Sequence, residues 1–89
     1  KAIFWLGQKA SKKASQALEN IVYNDKDYEI QKDAVFAISQ LSDDKSVPYL
    51  IKISKGHPSL DIRKKAIFWL GQKDDKRAVD ALVEILEGR

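Results

Sequence analysis

Apolar residues in the last third of the chain recur at helical spacing. Ile62, Ala66, Ile67, Trp69 and Leu70 fall on one face of a 3.6-residue helix, and after a short polar break Ala78, Val79, Leu82, Ile85 and Leu86 do so again. The spacing predicts a first helix, A, over about 60–72 and a second, B, over about 76–87.

The same pattern occurs earlier in the chain. KAIFWLGQK at 1–9 returns at 65–73, nine identical residues 64 positions apart, and halfway between them Asp33 to Leu41 keeps the apolar positions. Three copies align without a gap as units 1–32, 33–64 and 65–89, the first lacking the start of its helix A. Of the 25 columns shared by all three, five are identical: Ala2/34/66, Phe4/36/68, Gln8/40/72, Leu18/50/82 and Ile21/53/85. A fixed period of this length marks stacked supersecondary units, each burying its apolar face on its neighbours. The predicted fold class is therefore all-α, an α-solenoid of antiparallel helical hairpins in one domain.

Polar residues punctuate the units. Ser11, Asp43 and Asp75 share a column suited to the N-cap of helix B, and Asp27 and Ser59 suit the N-cap of helix A. Asn24, Gly56 and Gly88 share a column at the end of helix B, where a left-handed C-cap is expected. Pro48 would interrupt a helix capped at Asp43, so a start at Ser46 is expected in the second unit, leaving proline in the first turn.

With these residues in place, DIRKKAIFWLGQKDDKRAVDALVEIL at 61–86 resembles the HEAT-like repeats, in particular the short bacterial type of phycobilisome lyases and of designed α-helical repeat proteins. The resemblance implies a right-handed solenoid with the B helices on the inner surface. It says little about function, because such arrays serve as adaptors, regulatory subunits, lyase scaffolds and, in some branches, enzymes. The second unit departs from the pattern at Ala37 and Ser39, which replace the Trp and Gly of its neighbours.

Composition narrows the reading. The longest apolar run is five residues, Ala2 to Leu6 and again Ala66 to Leu70, far short of a membrane span or signal peptide, and the chain reads as soluble. Cysteine is absent, which excludes a disulfide framework and thiolate metal sites and fits either redox compartment, with the cytoplasm favoured. The net charge of +3 is spread as +2, +1 and 0 over the three units, without the concentrated basic face of a nucleic-acid binder. The chain starts at Lys1, inside an apolar helical segment, so the expectation is a piece of a longer array.

Candidate chemistry is sparse, and the reading is a non-enzyme with no cofactor. His57, the sole histidine, sits in Gly56-His57-Pro58-Ser59 and is expected as a solvated turn residue. Asp25-Lys26-Asp27-Tyr28-Glu29 alternates carboxylates as a calcium loop does, but Ile30 and Phe36 stand where that loop needs glycine and glutamate. Asp43-Asp44 and Asp74-Asp75 lie at helix starts, where negative charge complements the helix dipole. The iron-binding His-Glu pairs of HEAT-type hydroxylases are missing, and no metal site is expected.

Binding surfaces can be placed by helical geometry. Opposite the Leu82 core stripe lie Arg77, Asp80, Glu84 and Glu87, with equivalents Lys13, Gln16, Asn20 and Tyr23 in the first unit and Lys45, Pro48, Lys52 and Lys55 in the second. This face is mostly neutral, then basic, then acidic, which suits a protein or peptide better than a phosphate backbone. Tyr49 and Ile51 flank it as apolar anchors. The Phe4/36/68 column is either an exposed aromatic stripe or, as preferred, packed between adjacent A helices, and Trp5 and Trp69 are assigned to the core.

The leading expectation is a scaffold that binds a partner protein or peptide through the B-helix face. Two alternatives are a nucleic-acid module using lysines 1, 9, 12, 13, 32, 64 and 65, and a non-catalytic unit of a lyase-type complex. The apolar Ile3, Trp5 and Leu6 at the first unit, without a polar capping face, also predict end-to-end self-association or contact with a further segment.

Overall fold

A computed structural model describes residues 12–88. They form five α-helices: α1 (Lys12–Asn24), α2 (Tyr28–Ser39), α3 (Asp43–Gly56), α4 (Leu60–Gly71) and α5 (Lys76–Leu86). No strand occurs among the described residues. In the 32-residue frame, α2 and α4 are A helices, and α1, α3 and α5 are B helices. Ser11, Phe4, Trp5, Ile3 and Leu6 lie outside the described residues, so the expectations placed on them do too.

Each helix arises from its apolar face. Leu18 and Val22 of α1, Val35 and Ile38 of α2, Val47, Leu50 and Ile53 of α3, and Ile62, Ala66 and Leu70 of α4 are fully buried in one continuous core, which Ala78 extends into α5. Isolated helices of 11 to 14 residues are marginal in water, so this burial supplies most of their stability. The closest packing joins α1 to α2 and α3 to α4, the B helix of one unit to the A helix of the next, and A helices then stack on A (α2 on α4) and B on B (α3 on α5). The tight structural hairpin thus straddles the boundary between units as the alignment draws them.

The B-to-A junction is built the same way twice. The Asp25 and His57 N–H groups close the preceding helix on the Ile21 and Ile53 carbonyls. The Asp25 carboxylate accepts the Asp27 N–H at 2.8 Å, and His57 Nδ1 accepts the Ser59 N–H at 2.9 Å. Gln31 and Arg63, which share a column of the repeat, then donate to the Asp25 and His57 carbonyls at 2.7 and 2.6 Å. Asp27 and Ser59 cap α2 and α4, accepting from the N–H groups of Glu29 and Ile62. The first and last residues of each three-residue loop thereby have their backbone groups satisfied, which lets the chain reverse against a packed core.

His57 is buried, 3% exposed, and not the solvated turn residue expected. Because Ser59 N–H donates to Nδ1, the ring proton sits on Nε2 and is donated to the Val22 carbonyl of α1 at 2.8 Å. The imidazole also lies against the Tyr23 ring, centroids 5.1 Å apart. An exposed-looking turn is drawn inward because a last-turn carbonyl of the preceding B helix has no intrahelical partner and the ring reaches it.

Local expectations at the start of α3 and in the C-cap column are corrected, and the one at Asp75 is met. Helix α3 begins at Asp43, not at Ser46, and runs through Pro48; Ser42 is its N-cap, without a side-chain cap bond. The helix tolerates the proline because the Asp44 carbonyl that loses its bond belongs to an exposed residue near the helix start, where water reaches it. The Ser42 hydroxyl instead donates to Asp44 at 2.5 Å, which holds that carboxyl below the usual carboxylate range. Asp75 is the cap predicted for α5, accepting the Arg77 N–H. Among the C-cap column, Gly88 alone takes a left-handed conformation, φ 77°, whereas the chain leaves α3 through an extended His57, φ −68° and ψ 138°, with no left-handed residue.

Equivalent columns differ at α5. Val47 and Ser54 of α3 and Ser15 and Val22 of α1 are buried, while their counterparts Val79 and Leu86 on α5 are exposed. Val83 beside them is exposed as well.

Two positions test this packing. Ser46 Oγ is buried without a hydrogen-bond partner, and its column holds Ala14 and Ala78 in the other units. Ser46→Ala is therefore expected to stabilise the fold by about 1 kcal/mol, since it removes an uncompensated desolvation cost and little volume. Chemical denaturation reads the sign. His57→Ala, which orphans the Val22 carbonyl and the Ser59 N–H, is expected to cost about 2–4 kcal/mol. His57→Asn should cost about 1 kcal/mol less, because its Oδ1 can accept the Ser59 N–H as Asp25 does for Asp27. Equal midpoints for the two His57 variants would contradict this role.

Candidate functional site

The helical arithmetic that buries Leu18 and Leu50 turns the opposite sides of α1, α3 and α5 outward. Lys13, Gln16, Asn20, Pro48, Lys52, Lys55, Arg77, Asp80 and Glu87 are exposed there, and Tyr23, Lys45 and Glu84 are half-buried. Tyr49 and Ile51 are half-buried too, but they pack against the core, so much of each expected anchor is already engaged.

These positions do not form one uniform surface. The structure brings Gln16, Asn20, Tyr23 and Lys52 together with Glu19 and Asn24 around a groove of about 590 Å³ between α1 and α3. It does so because α1 and α3 meet more sparsely than α3 and α5 do. Lys13, Lys45, Arg77, Asp80 and Glu84 lie outside the groove.

Tyr23 forms an aromatic wall. Its ring is held from behind by His57, and burial pushes its hydroxyl above the ordinary tyrosine range. Lys52 Nζ pairs with Glu19 at 2.6 Å and stands 5.9 Å from the Tyr23 centroid, a cation–π contact. The Glu19 hydrogen bond and charge hold the Lys52 ammonium above the usual lysine range. Asn24 donates to the Asn20 side-chain oxygen at 2.6 Å, leaving unused donors and acceptors on both amides. Glu19 and Asn24 were not among the expected site residues. Glu19 was detectable, as the one acid in a column otherwise held by Ile51 and Val83.

Elsewhere on the face, charge is used between units. Lys55 of α3 pairs with Glu84 of α5. Lys73, just after α4, donates to the Ser39 carbonyl at 2.6 Å and pairs with Asp43 at 3.2 Å. Arg77 chelates Asp75, which keeps that carboxyl below and the guanidinium above their ordinary ranges, and reaches the Asp43 carbonyl at 3.2 Å. Lys76 and Asp80 pair along α5 at 3.0 Å. Lys55 of the basic second unit and Glu84 of the acidic third unit thus neutralise one another at the surface.

Both ring nitrogens of His57 are engaged, so it offers no general base. The Asp25–Glu29 segment is a turn and a cap, with Asp25 accepting from Asp27 and Asp27 from Glu29. Among the described residues no group of three or more His, Cys, Asp or Glu could hold a metal ion. No described helix is long and apolar enough to cross a membrane.

Residues 62–88, spanning most of α4 and all of α5, match the family described as PBS lyase HEAT-like repeat. No curated protein and no solved structure matches the chain.

The cross-unit pairing makes a prediction. Lys55→Glu alone is expected to destabilise the stack by under about 1 kcal/mol, as exposed pairs do, and Lys55→Glu combined with Glu84→Lys should restore the lost part. A double-mutant cycle in denaturant measures the coupling. Additive effects would show that the pair contributes nothing.

Proposed function

From the premise that the chain is a HEAT-like repeat protein, we propose that it is an interaction scaffold whose B-helix face holds an extended segment of a partner protein in the α1–α3 groove. The observation that carries this is the composition of the groove. Tyr23 offers a rigid aromatic wall, Gln16, Asn20 and Asn24 offer amides that can both donate and accept, and Lys52 with Glu19 supplies one cation and one anion. A peptide backbone needs such paired donors and acceptors, and tyrosine is enriched where partners dock. A phosphate chain needs unpaired cations along its path, and here Lys52 already answers to Glu19.

The family's name favours a second use of the same surface: a non-catalytic unit that shapes a lyase-type complex. Chemistry would then reside in the partner and the groove would act as a docking element. The two readings differ in what is captured, not in where.

The test is a photo-crosslinking amino acid placed at Asn20 or at exposed Asp61 in the protein expressed in its source cells. Crosslinks to a protein partner are expected from position 20 and not from 61. Tyr23→Ala and Lys52→Glu should each weaken capture by about tenfold or more, the size of a hot-spot loss of about 1–3 kcal/mol. Crosslinks solely from 61, or capture untouched by both substitutions, would refute the assignment to this face.

A further inference from the structure

On the opposite side of the stack, α2 and α4 carry a second site. The Phe36/Phe68 column, expected to pack between A helices, is open to solvent: Phe36 is 39% and Phe68 55% exposed. Trp69, assigned to the core from the sequence, is half-buried, and both phenyl rings pack edgewise against its indole, with centroids 5.3 and 4.9 Å away. The three rings floor a cleft of about 380 Å³.

Its rim is basic. Lys32 and Lys64, which occupy one column of the repeat, and Lys65 line it, against the single acid Asp33. Lys32 is answered by Glu29 at 2.9 Å, but among the described residues no carboxylate pairs with Lys64 or Lys65. An exposed aromatic floor beneath unanswered lysines is complementary to an apolar side chain flanked by carboxylates.

We infer that the α2–α4 cleft binds an acidic peptide segment, seating one aromatic or large aliphatic side chain on Phe36, Phe68 and Trp69 while its neighbouring carboxylates meet Lys64 and Lys65. The cleft volume lies at the small end of the range for ligand pockets and suits a side chain rather than a helix. Single-stranded nucleic acid fits less well, because three lysines without an arginine provide no continuous track for a phosphate chain. The site lies on the helices opposite the B face and does not depend on the α1–α3 groove.

Fluorescence anisotropy of a fluorescein-labelled Asp-Asp-Phe-Asp-Asp amide, titrated with the full chain at low salt, tests the inference. A saturable rise is expected, weakened by added salt. Replacing the flanking Asp residues by Lys, or the central Phe by Ser, should each reduce affinity by about tenfold or more. In the protein, Lys64→Glu with Lys65→Glu, and separately Phe68→Ser, should have the same effect with helicity retained, while Tyr23→Ala should have none. The inference is overturned by an absence of saturation, by equal binding of the Lys-flanked peptide, by unchanged affinity in either protein variant, or by tighter binding of a labelled oligothymidine.

Discussion

The hydrogen bond from His57 to the Val22 carbonyl ties three elements at one point. The His57 backbone N–H closes α3 on the Ile53 carbonyl, its ring Nδ1 accepts the N–H of the residue that caps α4, and its Nε2 proton is donated to a carbonyl in the last turn of α1. His57 and Val22 are both buried, so the ring supplies the hydrogen bonds that these polar groups would otherwise lose. The end of α3 is tied to the end of α1 here, and the Tyr23 ring rests on the same imidazole. The α1–α3 groove therefore depends on a buried residue that no ligand would touch.

Around that anchor the two faces of the stack divide their labour. On the B side, ion pairs cross from unit to unit, Glu19 to Lys52 and Lys55 to Glu84, and each contributes modestly because it is exposed. Their larger effect is on the surface, where they leave a mixed and nearly neutral face. On the A side the lysines of adjacent helices lie beside exposed aromatic rings, with fewer acids to answer them. One helical stack thus presents two chemically different surfaces.

Most of the fold was legible because core columns repeat. Ala34 and Ala66, or Leu18 and Leu50, are buried in equivalent places, and the helix ends predicted near 60, 72, 76 and 87 fall within a residue of α4 and α5. The caps at Asp27, Ser59 and Asp75 were readable for the same reason. His57 was not, since its column holds Asp25 in the first unit, and the partner that draws it inward lies 35 residues away. Pro48 misled because helix starts were judged by local preference, while tertiary burial of Val47 and Leu50 holds α3 together through it. Of the expected face residues, Gln16, Asn20 and Tyr23 meet in the groove because spacings of four and three place them on one helical stripe. The separation of α1 from α3, which makes that stripe a groove, has no signature in the periodicity.

A stack of similar units faces a problem of register. If core columns alone held the helices, a unit could slip past its neighbour and still bury alanine, leucine and isoleucine in familiar places. Polar contacts that belong to one unit only remove that freedom. His57 reaches Val22, Lys52 reaches Glu19, Lys55 reaches Glu84 and Lys73 reaches the Ser39 carbonyl, and a slip leaves each partner unanswered, at greatest cost for the buried imidazole. A buried polar group fixes register in coiled coils by the same penalty. The columns in which the units differ thus serve twice: they hold each unit against its proper neighbour, and they give each stretch of surface its own chemistry.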